Sequence, residues 1–233
     1  MKNKLVQRIN DLWATQYLNG EKVPKWYRAL LRYSPTREDV ALHFAKQNRG
    51  QLLDVGCGEG KLIAKLSGNY KKIIGIDLVD YRVQRGMKIL KMKKINNVFL
   101  EVGNIEDGLE FRSGVFDVAV CLSVIEYTFD PYFSVNEISR VLKKHGILIL
   151  SVPNVGFVGE RLGLLFGKLP NVANAPGWQG GRLHNFTESS LRKLLENEGF
   201  KINKVVGSGF LNKIRSVWPS LLCGDLIFIC RKE

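Results

Sequence analysis

Residues 52–60 read LLDVGCGEG, a short apolar run that leads into three glycines spaced two residues apart. An apolar run of this length is typical of a buried strand, and glycines directly after it permit a tight turn into a helix. The glycine backbone and the free N–H groups at the start of that helix form a surface that a ligand can approach closely. The stretch therefore predicts a strand–turn–helix unit with a ligand-binding turn.

The sequence on both sides of this turn alternates between strand-like and helix-like patterns. Strand-like apolar runs cover residues 51–55, 72–77, 98–102, 115–122 and 146–152. Helical patterns separate them, which predicts parallel strands with helices on both faces of one sheet. Two later runs, at 201–206 and 225–231, have only a loop between them. They are expected to pair as an antiparallel hairpin, because a parallel pair needs a crossover connection.

The length of 233 residues predicts a single domain, 1–233, with one full core. We divide it into an N-terminal helical cap (1–50), a cofactor-binding core (51–152), an insertion (153–186), and a last helix with the C-terminal hairpin (187–233). The insertion is interpreted either as an apolar lid or as a packed helical hairpin. The cap and the lid are expected to cover the ligand cleft together, with the aromatic residues Trp13, Tyr17, Trp26, Tyr27, Phe157, Phe166 and Trp178.

The chain carries 35 Lys and Arg against 22 Asp and Glu, a net charge of +13. This excess can attract nucleic acid, anionic lipid or an acidic small molecule. Many basic residues lie between 82 and 94, where Val83, Met87 and Leu90 share a helical face. We therefore interpret that segment as a buried stripe with a solvated basic side. Nucleic acid is a possible partner but not the favoured one.

No apolar stretch approaches the roughly 20 residues that span a bilayer. The N-terminus lacks the pattern of a signal peptide, so a cytoplasmic location is expected, with peripheral membrane contact possible. The four cysteines form no CxxC pair and the chain has only three histidines, so no metal site is predicted. The oligomeric state does not follow from the sequence.

An acidic residue ends the second predicted strand: Asp77, 21 positions after Gly56. A carboxylate at this point can accept hydrogen bonds from both hydroxyls of a ribose. The glycines read GxGxG and not the GxGxxG of a dinucleotide site, in which a pyrophosphate lies on the helix end. Asp54, two residues before the first glycine, favours a cation. A nucleoside with an ammonium group and no phosphate, such as S-adenosylmethionine, satisfies these features.

Five stretches, LLDVGCGEG, IIGID, EVGNIED, FDVAVCLSVIEY and LKKHGILILSVPN, resemble the successive motifs of class I S-adenosylmethionine-dependent methyltransferases. They are most similar to the group that includes ubiquinone-type and sugar- or lipid-modifying O-methyltransferases. The resemblance covers residues 51–153 and extends more loosely to the C-terminus through HNFT (184–187). It implies an α/β fold with a Rossmann-like seven-stranded sheet, mostly parallel with an antiparallel C-terminal strand, and helices on both faces.

The resemblance also implies how the cofactor S-adenosyl-L-methionine is bound. The glycines would line its methionine portion, Asp77 would hold the ribose and Leu78 would pack on the adenine. Asn104 stands where many relatives have an aspartate, and its side-chain carbonyl could accept the same hydrogen bond from the adenine. The expected cofactor-binding residues are Asp54, Gly56, Cys57, Gly58, Gly60, Asp77, Leu78, Asn104, Ile105, Leu122 and Ser123.

A general base is needed only where the methyl acceptor must lose a proton. The catalytic candidates are His184 and Glu126. A histidine side chain ordinarily has a pKa near neutral, which suits a base, but a histidine that fixes its loop by hydrogen bonds explains the residue equally well. Glu126 is interpreted first as an organiser of the loop that holds the cofactor's tail. We expect His184 to face inward, toward the acceptor.

The acceptor is expected to be a small or amphiphilic molecule: a sugar, a phenol or quinone precursor, or a lipid-linked intermediate. The chain lacks the Asn/Asp-Pro-Pro-aromatic motif and the Pro-Cys nucleophile of common nucleic-acid base methyltransferases. Two alternatives stay open at this point. One is a methyltransferase for RNA or protein, and the other is a non-catalytic domain that only binds the cofactor.

Overall fold

The computed structural model describes residues 35–170, 182–208, 215 and 217–233. Most of the predicted N-terminal cap and the middle of the insertion lie outside these ranges. The predictions made for Trp13, Tyr17, Trp26, Tyr27 and Trp178 therefore fall outside the described residues.

The secondary structure of the described residues follows the predicted alternation. The helices are α1 (Arg37–Ala45), α2 (Lys61–Ala64), α3 (Asp80–Met92), α4 (Pro131–Val141), α5 (Val158–Leu165), α6 (Glu188–Asn197) and α7 (Pro219–Leu222). The strands are β1 (Gln51–Val55), β2 (Lys72–Asp77), β3 (Val98–Val102), β4 (Phe116–Leu122), β5 (Leu142–Pro153), β6 (Phe200–Gly207) and β7 (Asp225–Lys232). Short 3-10 helices follow β3 (Ile105–Asp107) and β4 (Ile125–Tyr127).

The strands form one seven-stranded sheet in the order β3-β2-β1-β4-β5-β7-β6. β1 to β5 pair in parallel, whereas β7 pairs antiparallel with both β5 and β6. This confirms the predicted fold class, including the antiparallel hairpin at the C-terminus. Because β1, β2 and β4 run in the same direction, their carboxyl ends meet at one edge of the sheet, where this architecture binds ligands.

Both faces of the sheet are buried, which explains why its strands read as continuous apolar runs. On β5, Leu148 and Leu150 pack into one core while Ile149 packs into the other. Side chains of α4 and α6 belong to the first core. Side chains of α1, α2 and α3 belong to the second. The predicted placement of helices on both faces is thus confirmed.

Capping side chains set the starts of two helices. Thr36 and Asp39 form a capping box at the start of α1. Thr187 caps α6, and Gly199 follows its C-terminus with a φ of +79°. Each cap satisfies backbone N–H groups that otherwise lack partners at a helix end.

The apolar stripe of α3 differs in one residue from the prediction. Val83 and Leu90 are buried, but Met87 is 38% exposed. Gly86 takes the inward place, where an added Cβ would overlap the side chain of Leu100 on β3 and lie 2.7 Å from the carbonyl oxygen of Glu59 in the glycine turn. These neighbours leave no room for a side chain at that point, and the adjacent Met87 lies partly exposed.

The described part of the insertion contains one helix, α5, and residues 171–181, where a second limb of a hairpin would lie, are outside the described residues. No residue of α5 is buried, and Leu165 and Phe166 are 75% and 76% exposed. Both interpretations of the insertion, as a lid and as a packed helical hairpin, stay predictions. Within the described ranges, none of the helices combines the length and the apolar character needed to cross a membrane.

Candidate functional site

A cavity of about 430 Å³ opens at the carboxyl ends of β1, β2 and β4. Most of the residues predicted to bind the cofactor line it: Asp54, Gly56, Cys57, Asp77, Leu78, Asn104, Ile105, Leu122 and Ser123. Residues far apart in the sequence therefore converge on one space because their strands end at the same edge of the sheet. Gly58 and Gly60 are predicted binding residues that do not line the cavity.

The glycine turn after β1 is held against the end of β2. The N–H groups of Gly56 and Cys57 both donate to the carbonyl oxygen of Ile76, at 2.8 and 3.0 Å. Gly56 has a φ of +77°, and a Cβ added there would overlap the side chain of Val124. Glycine is favoured at this position for two reasons: a positive φ disfavours other residues, and Val124 leaves no room for a side chain.

Gly58 and Gly60 shape the turn without facing the cavity. The N–H of Gly58 donates to Asp77. Gly60 is the N-cap of α2, with a φ of +69°. The helix that follows has only four residues, so the turn does not lead into the long helix start that binds a pyrophosphate in dinucleotide sites.

The carboxylate of Asp77 is buried and fixed by the backbone. Its Oδ2 accepts the hydrogen bond from Gly58 at 2.7 Å, and its Oδ1 accepts one from the N–H of Val79 at 3.0 Å. Nη1 of Arg82 lies 3.7 Å from Oδ2. A carboxylate has about four acceptor positions, so these contacts orient Asp77 and leave capacity for two hydroxyl groups in the cavity.

Asp54 is buried at the floor of the cavity, with 4% of its surface exposed. Burial raises the pKa of this carboxyl well above its usual range, and the neighbouring negative charge of Asp77 raises it further. A positively charged ligand group would favour the ionised form. The floor of the cavity is therefore suited to an ammonium or sulfonium cation.

Asn104 caps the 3-10 helix after β3. Its Oδ1 accepts a hydrogen bond from the N–H of Glu106 at 3.1 Å, and its Nδ2 donates to Oδ2 of Asp107 at 3.1 Å. These two hydrogen bonds identify which atom of the side-chain amide is the oxygen and which is the nitrogen. An amide oxygen has two lone pairs, so Oδ1 can accept a second hydrogen bond from a ligand.

Ser123 follows β4 in a left-handed conformation, with a φ of +54°. Its N–H donates to the carbonyl oxygen of Ser151 on β5 at 2.9 Å. A non-glycine residue in this region costs about 1 kcal/mol or more, and such strain concentrates at functional sites. The left-handed conformation of Ser123 lies where the chain leaves β4 at the cavity, and both Leu122 and Ser123 line the cavity wall.

Several residues outside the predicted cofactor-binding set also line the cavity. Arg37 and Glu38 come from the first turn of α1, and Tyr127 and Arg182 border the side next to the 3-10 helix after β4. The guanidinium of Arg182 lies 6.0 Å from the centre of the Tyr127 ring. The closeness of Arg182 to His184 in the sequence is the one signal that could have indicated it.

Glu126 is almost fully buried in that 3-10 helix, with 1% of its surface exposed. Among the described residues, neither carboxylate oxygen has a hydrogen-bond partner. Burial raises the pKa of the carboxyl to about 7, against lowering contributions that include the charges of Arg182 and Arg37. The backbone oxygen of Glu126 accepts hydrogen bonds from the N–H groups of Leu183 and His184, at 2.7 and 3.1 Å.

The imidazole of His184 does not line the cavity, in contrast to the inward position expected from the sequence. Its Nε2 lies 3.3 Å from the carbonyl oxygen of Phe129. The two catalytic candidates are therefore joined by a backbone hydrogen bond from His184 to Glu126. The side chain of neither residue lines the cavity. The reason is the pairing of residues 183–184 with Glu126, which turns the ring of His184 toward residue 129.

Comparisons with known proteins agree with this geometry. The family model described as "Methyltransferase domain" matches residues 46–206. A ubiquinone biosynthesis O-methyltransferase of Rickettsia typhi is 26% identical over 188 residues, which cover 78% of this chain and 72% of the relative.

Two solved structures share the fold. A SAM-dependent methyltransferase from Methanosarcina mazei has a TM-score of 0.61 and 23% identity, covering 82% of this chain and 96% of that one. An S-adenosylmethionine-dependent methyltransferase from Mesorhizobium loti has a TM-score of 0.62 and 16% identity, covering 84% and 98%. Both likenesses concern the fold alone. The matched family model spans β1 to β6 and every cavity-lining residue except Arg37 and Glu38, and it identifies the chain as a member of the methyltransferase domain family and as a class I S-adenosylmethionine-dependent methyltransferase.

Proposed function

We propose that the cavity at the ends of β1, β2 and β4 holds S-adenosylmethionine through the residues that line it. Asp77 accepts the ribose hydroxyls, and Asn104 and Ile105 receive the adenine. Asp54 favours the ammonium group, while Arg37 pairs with the carboxylate of the amino-acid tail. These assignments are supported by the fixed carboxylate of Asp77, by the buried carboxyl of Asp54 and by the position of Arg37 on the cavity wall.

When bound, the cofactor supplies a methyl group that is already activated for displacement by a nucleophile. The chain's own contribution is then to hold the acceptor in line and to exclude water. Gly56 and Ser123 shape the two walls between which the reacting groups meet, and both do so with backbone conformations that other positions avoid. Cys57 and Leu122 add apolar contact surface to the same walls.

We infer that the acceptor is a phenolic hydroxyl of a quinone-precursor type. The observation that carries this inference is Glu126, a buried carboxyl whose pKa of about 7 matches the task of accepting a proton near neutral pH. A hydroxyl must lose its proton during methylation, and Glu126, whose side chain lies behind the cavity wall, receives it through an intervening water. The name of the Rickettsia typhi relative, a ubiquinone biosynthesis O-methyltransferase, supports the same acceptor class.

We propose that His184 acts indirectly, by positioning the residues around Glu126. Its N–H and that of Leu183 hold the backbone of Glu126, and its ring contacts the carbonyl oxygen of Phe129. These contacts keep residues 182–184 against the 3-10 helix at the acceptor end. His184 is thus proposed to position the wall around Glu126.

We further propose that the acceptor carries an apolar chain and is met in the cytoplasm, at or near a lipid surface. Leu162, Leu164, Leu165 and Phe166 are each exposed by half or more in and just after α5. This segment follows β5 from its carboxyl end, which is the edge at which the cavity opens. Exposed apolar surface of this kind commonly marks a binding site for an apolar partner.

The proposed function is tested with a methyl-¹³C-labelled cofactor. The protein is incubated with 4-octylcatechol, bulk tRNA and casein in separate reactions, and the products are analysed by ¹³C NMR. The proposal predicts a labelled methoxy carbon on the catechol. Label in tRNA or casein without label in the catechol would overturn it, provided that S-adenosylhomocysteine binding shows the protein to be folded.

A further inference from the structure

Two buried carboxyl groups, those of Asp54 and Asp77, lie on the neighbouring parallel strands β1 and β2 where both strands end at the cavity. Asp54 stands beside Gly75 in the register of the two strands, and Asp77 follows two residues later on the same face of the sheet. Only 4% and 5% of the two residues' surfaces are exposed. Because two negative charges repel each other strongly in such a buried place, ionising both carboxyl groups is costly.

The polar contacts that stabilise a negative charge fall on Asp77 and not on Asp54. Asp77 accepts hydrogen bonds from the N–H groups of Gly58 and Val79, and Nη1 of Arg82 lies 3.7 Å from its Oδ2. Within the part of the chain that the structure describes, the side chain of Asp54 has neither a hydrogen-bond donor nor an ion-pair partner. Donors and a nearby cation favour the ionised form of a carboxyl, so the charge of the pair belongs on Asp77.

The other ionisable groups around Asp54 do not offset this asymmetry. Burial, the charge of Asp77 and the charge of Glu38 on α1 all raise the pKa of Asp54. Cys57 in the turn and Cys121 on β4 are neutral thiols, because burial raises the pKa of both. Further charged side chains line the same cavity but are not among the groups that set the pKa of Asp54: Arg37, Glu59, Lys61, Arg82, Glu106 and Arg182.

We propose that Asp54 carries a proton until the cofactor binds, and that the ammonium group of the cofactor's amino-acid tail displaces this proton. The inference rests on the proposed function, which assigns the ammonium group to Asp54, and adds a proton exchange to it. In the exchange the O–H bond of Asp54 breaks and the proton leaves to the solvent. The carboxylate then pairs with the ammonium group, which keeps all of its protons. A second buried negative charge is thus formed only together with its cation.

The exchange makes the affinity for a nucleoside depend on pH only where the nucleoside carries a cationic tail. Below the pH at which Asp54 ionises in the free protein, the Kd of S-adenosylhomocysteine should fall by up to about tenfold for each unit of rising pH, by linkage. 5′-Methylthioadenosine has the same nucleoside and a thioether but lacks the tail. It leaves the proton on Asp54, so its Kd should not change with pH over the same range.

The test counts the protons released on binding. Isothermal titration calorimetry is carried out at about pH 6.5 in MES and in imidazole, two buffers with different ionisation enthalpies. The wild-type protein is expected to release about one proton with S-adenosylhomocysteine and none with 5′-methylthioadenosine. An aspartate of ordinary pKa is already ionised at this pH, and the amino group of the ligand is already protonated, so neither would exchange a proton. Asp54→Asn should bind S-adenosylhomocysteine without releasing a proton.

Glu126→Gln is the matched control, because Glu126 is the other buried carboxyl near the cavity and burial raises its pKa to about 7. This variant should still release about one proton with S-adenosylhomocysteine. Binding of S-adenosylhomocysteine to the wild type without proton release would overturn the inference and leave the proposed function standing. Equal release with both ligands, or loss of the release in Glu126→Gln, would overturn it by placing the proton elsewhere.

The two ligands also separate the inference from the proposed function and from any folding defect of a variant. If the wild type binds neither ligand, the proposed function fails and the inference fails with it. If Asp54→Asn does not fold, the comparison of the two ligands on the wild-type protein decides the question by itself.

Discussion

Asp77 accepts a hydrogen bond from the backbone N–H of Gly58 at 2.7 Å, although the two residues lie 19 positions apart. This bond links the end of β2 to the glycine turn after β1. It means that one carboxylate both completes the turn and presents its remaining acceptor positions to the cavity. The integrity of the turn and the affinity for the cofactor are therefore coupled through Asp77.

Replacing Asp77 tests this coupling. Asp77→Ala removes the acceptor of the Gly58 N–H and the proposed acceptor of the ribose hydroxyls, so a buried donor loses its partner. We expect the Kd of S-adenosylhomocysteine to rise by about tenfold or more, measured by isothermal titration calorimetry. Asp80→Asn, an exposed position at the start of α3, serves as the control and should bind normally. Unchanged affinity in Asp77→Ala would contradict the assigned role.

Gly56→Ala tests the shape of the turn. The new Cβ would overlap the side chain of Val124, and the φ of +77° would be strained in addition. We expect a loss of about 1–3 kcal/mol in the free energy of unfolding, measured by urea denaturation, together with weaker S-adenosylhomocysteine binding. Adding Val124→Ala should recover part of the stability, because it removes the overlap but not the strain.

The matched control for the turn is Gly68→Ala, where an added Cβ meets nothing within 4 Å. This variant should keep its stability and its affinity. If Gly56→Ala behaves like Gly68→Ala, the turn is more adaptable than its contacts indicate.

The buried carboxyl of Glu126 predicts a pH-dependent stability. Burial raises its pKa from the ordinary value of 4.5 to about 7. Because the folded state holds the proton more tightly than the unfolded state, this group's contribution is fully present below pH 4.5 and is lost as the pH rises through about 7. The loss amounts to about 3 kcal/mol by linkage, as an order of magnitude.

Glu126→Gln keeps the shape of the side chain and removes its titration. The free energy of unfolding of the variant, relative to that of the wild type, should therefore increase from pH 5 to pH 8. Urea denaturation at both pH values measures this difference. Glu110→Gln changes an exposed carboxyl and should show the wild-type pH dependence. If the stability of Glu126→Gln depends on pH as that of the wild type does, the carboxyl of Glu126 does not have the raised pKa that its burial predicts.

The exposed apolar residues at the end of α5 predict a preference for acceptors with an apolar chain. Leu165→Ser combined with Phe166→Ser should lower kcat/KM for 4-octylcatechol several-fold more than kcat/KM for catechol. The reason is that each buried CH₂ group contributes about 0.8 kcal/mol. Met92→Ser, at an 82% exposed position at the end of α3, is the control and should change neither value. Equal effects on both acceptors would show that α5 does not contact the chain.

Most of the sheet was predictable from the sequence because its inner strands are buried on both faces, whereas the edge strand β3 alternates between buried and exposed residues over its first four positions. β1, β2 and β3 have the predicted bounds, since each is an apolar run ended by a turn signal. β5 begins at Leu142, four residues before the predicted start. The early part pairs Leu142 with Phe116 across a register shift, and His145 there has a φ of +66°. Such an irregular strand start has no apolar periodicity to indicate it.

The site was predictable only where it is built from strand ends. Asp54 and Asp77 follow from their positions after β1 and β2. Arg37, Tyr127 and Arg182 reach the same cavity from a helix, a 3-10 helix and a loop, and their convergence depends on tertiary packing that no local motif encodes. His184 does not line this cavity, because the backbone of Glu126 directs its loop.

Hydrogen–deuterium exchange with and without S-adenosylhomocysteine tests most directly that the cofactor is held in the cavity described above. We predict slower exchange in the four segments that form its walls, residues 54–60, 76–79, 103–105 and 122–128, and little change in β6 and β7. Binding of S-adenosylhomocysteine with protection outside these segments, and none within them, would contradict the account.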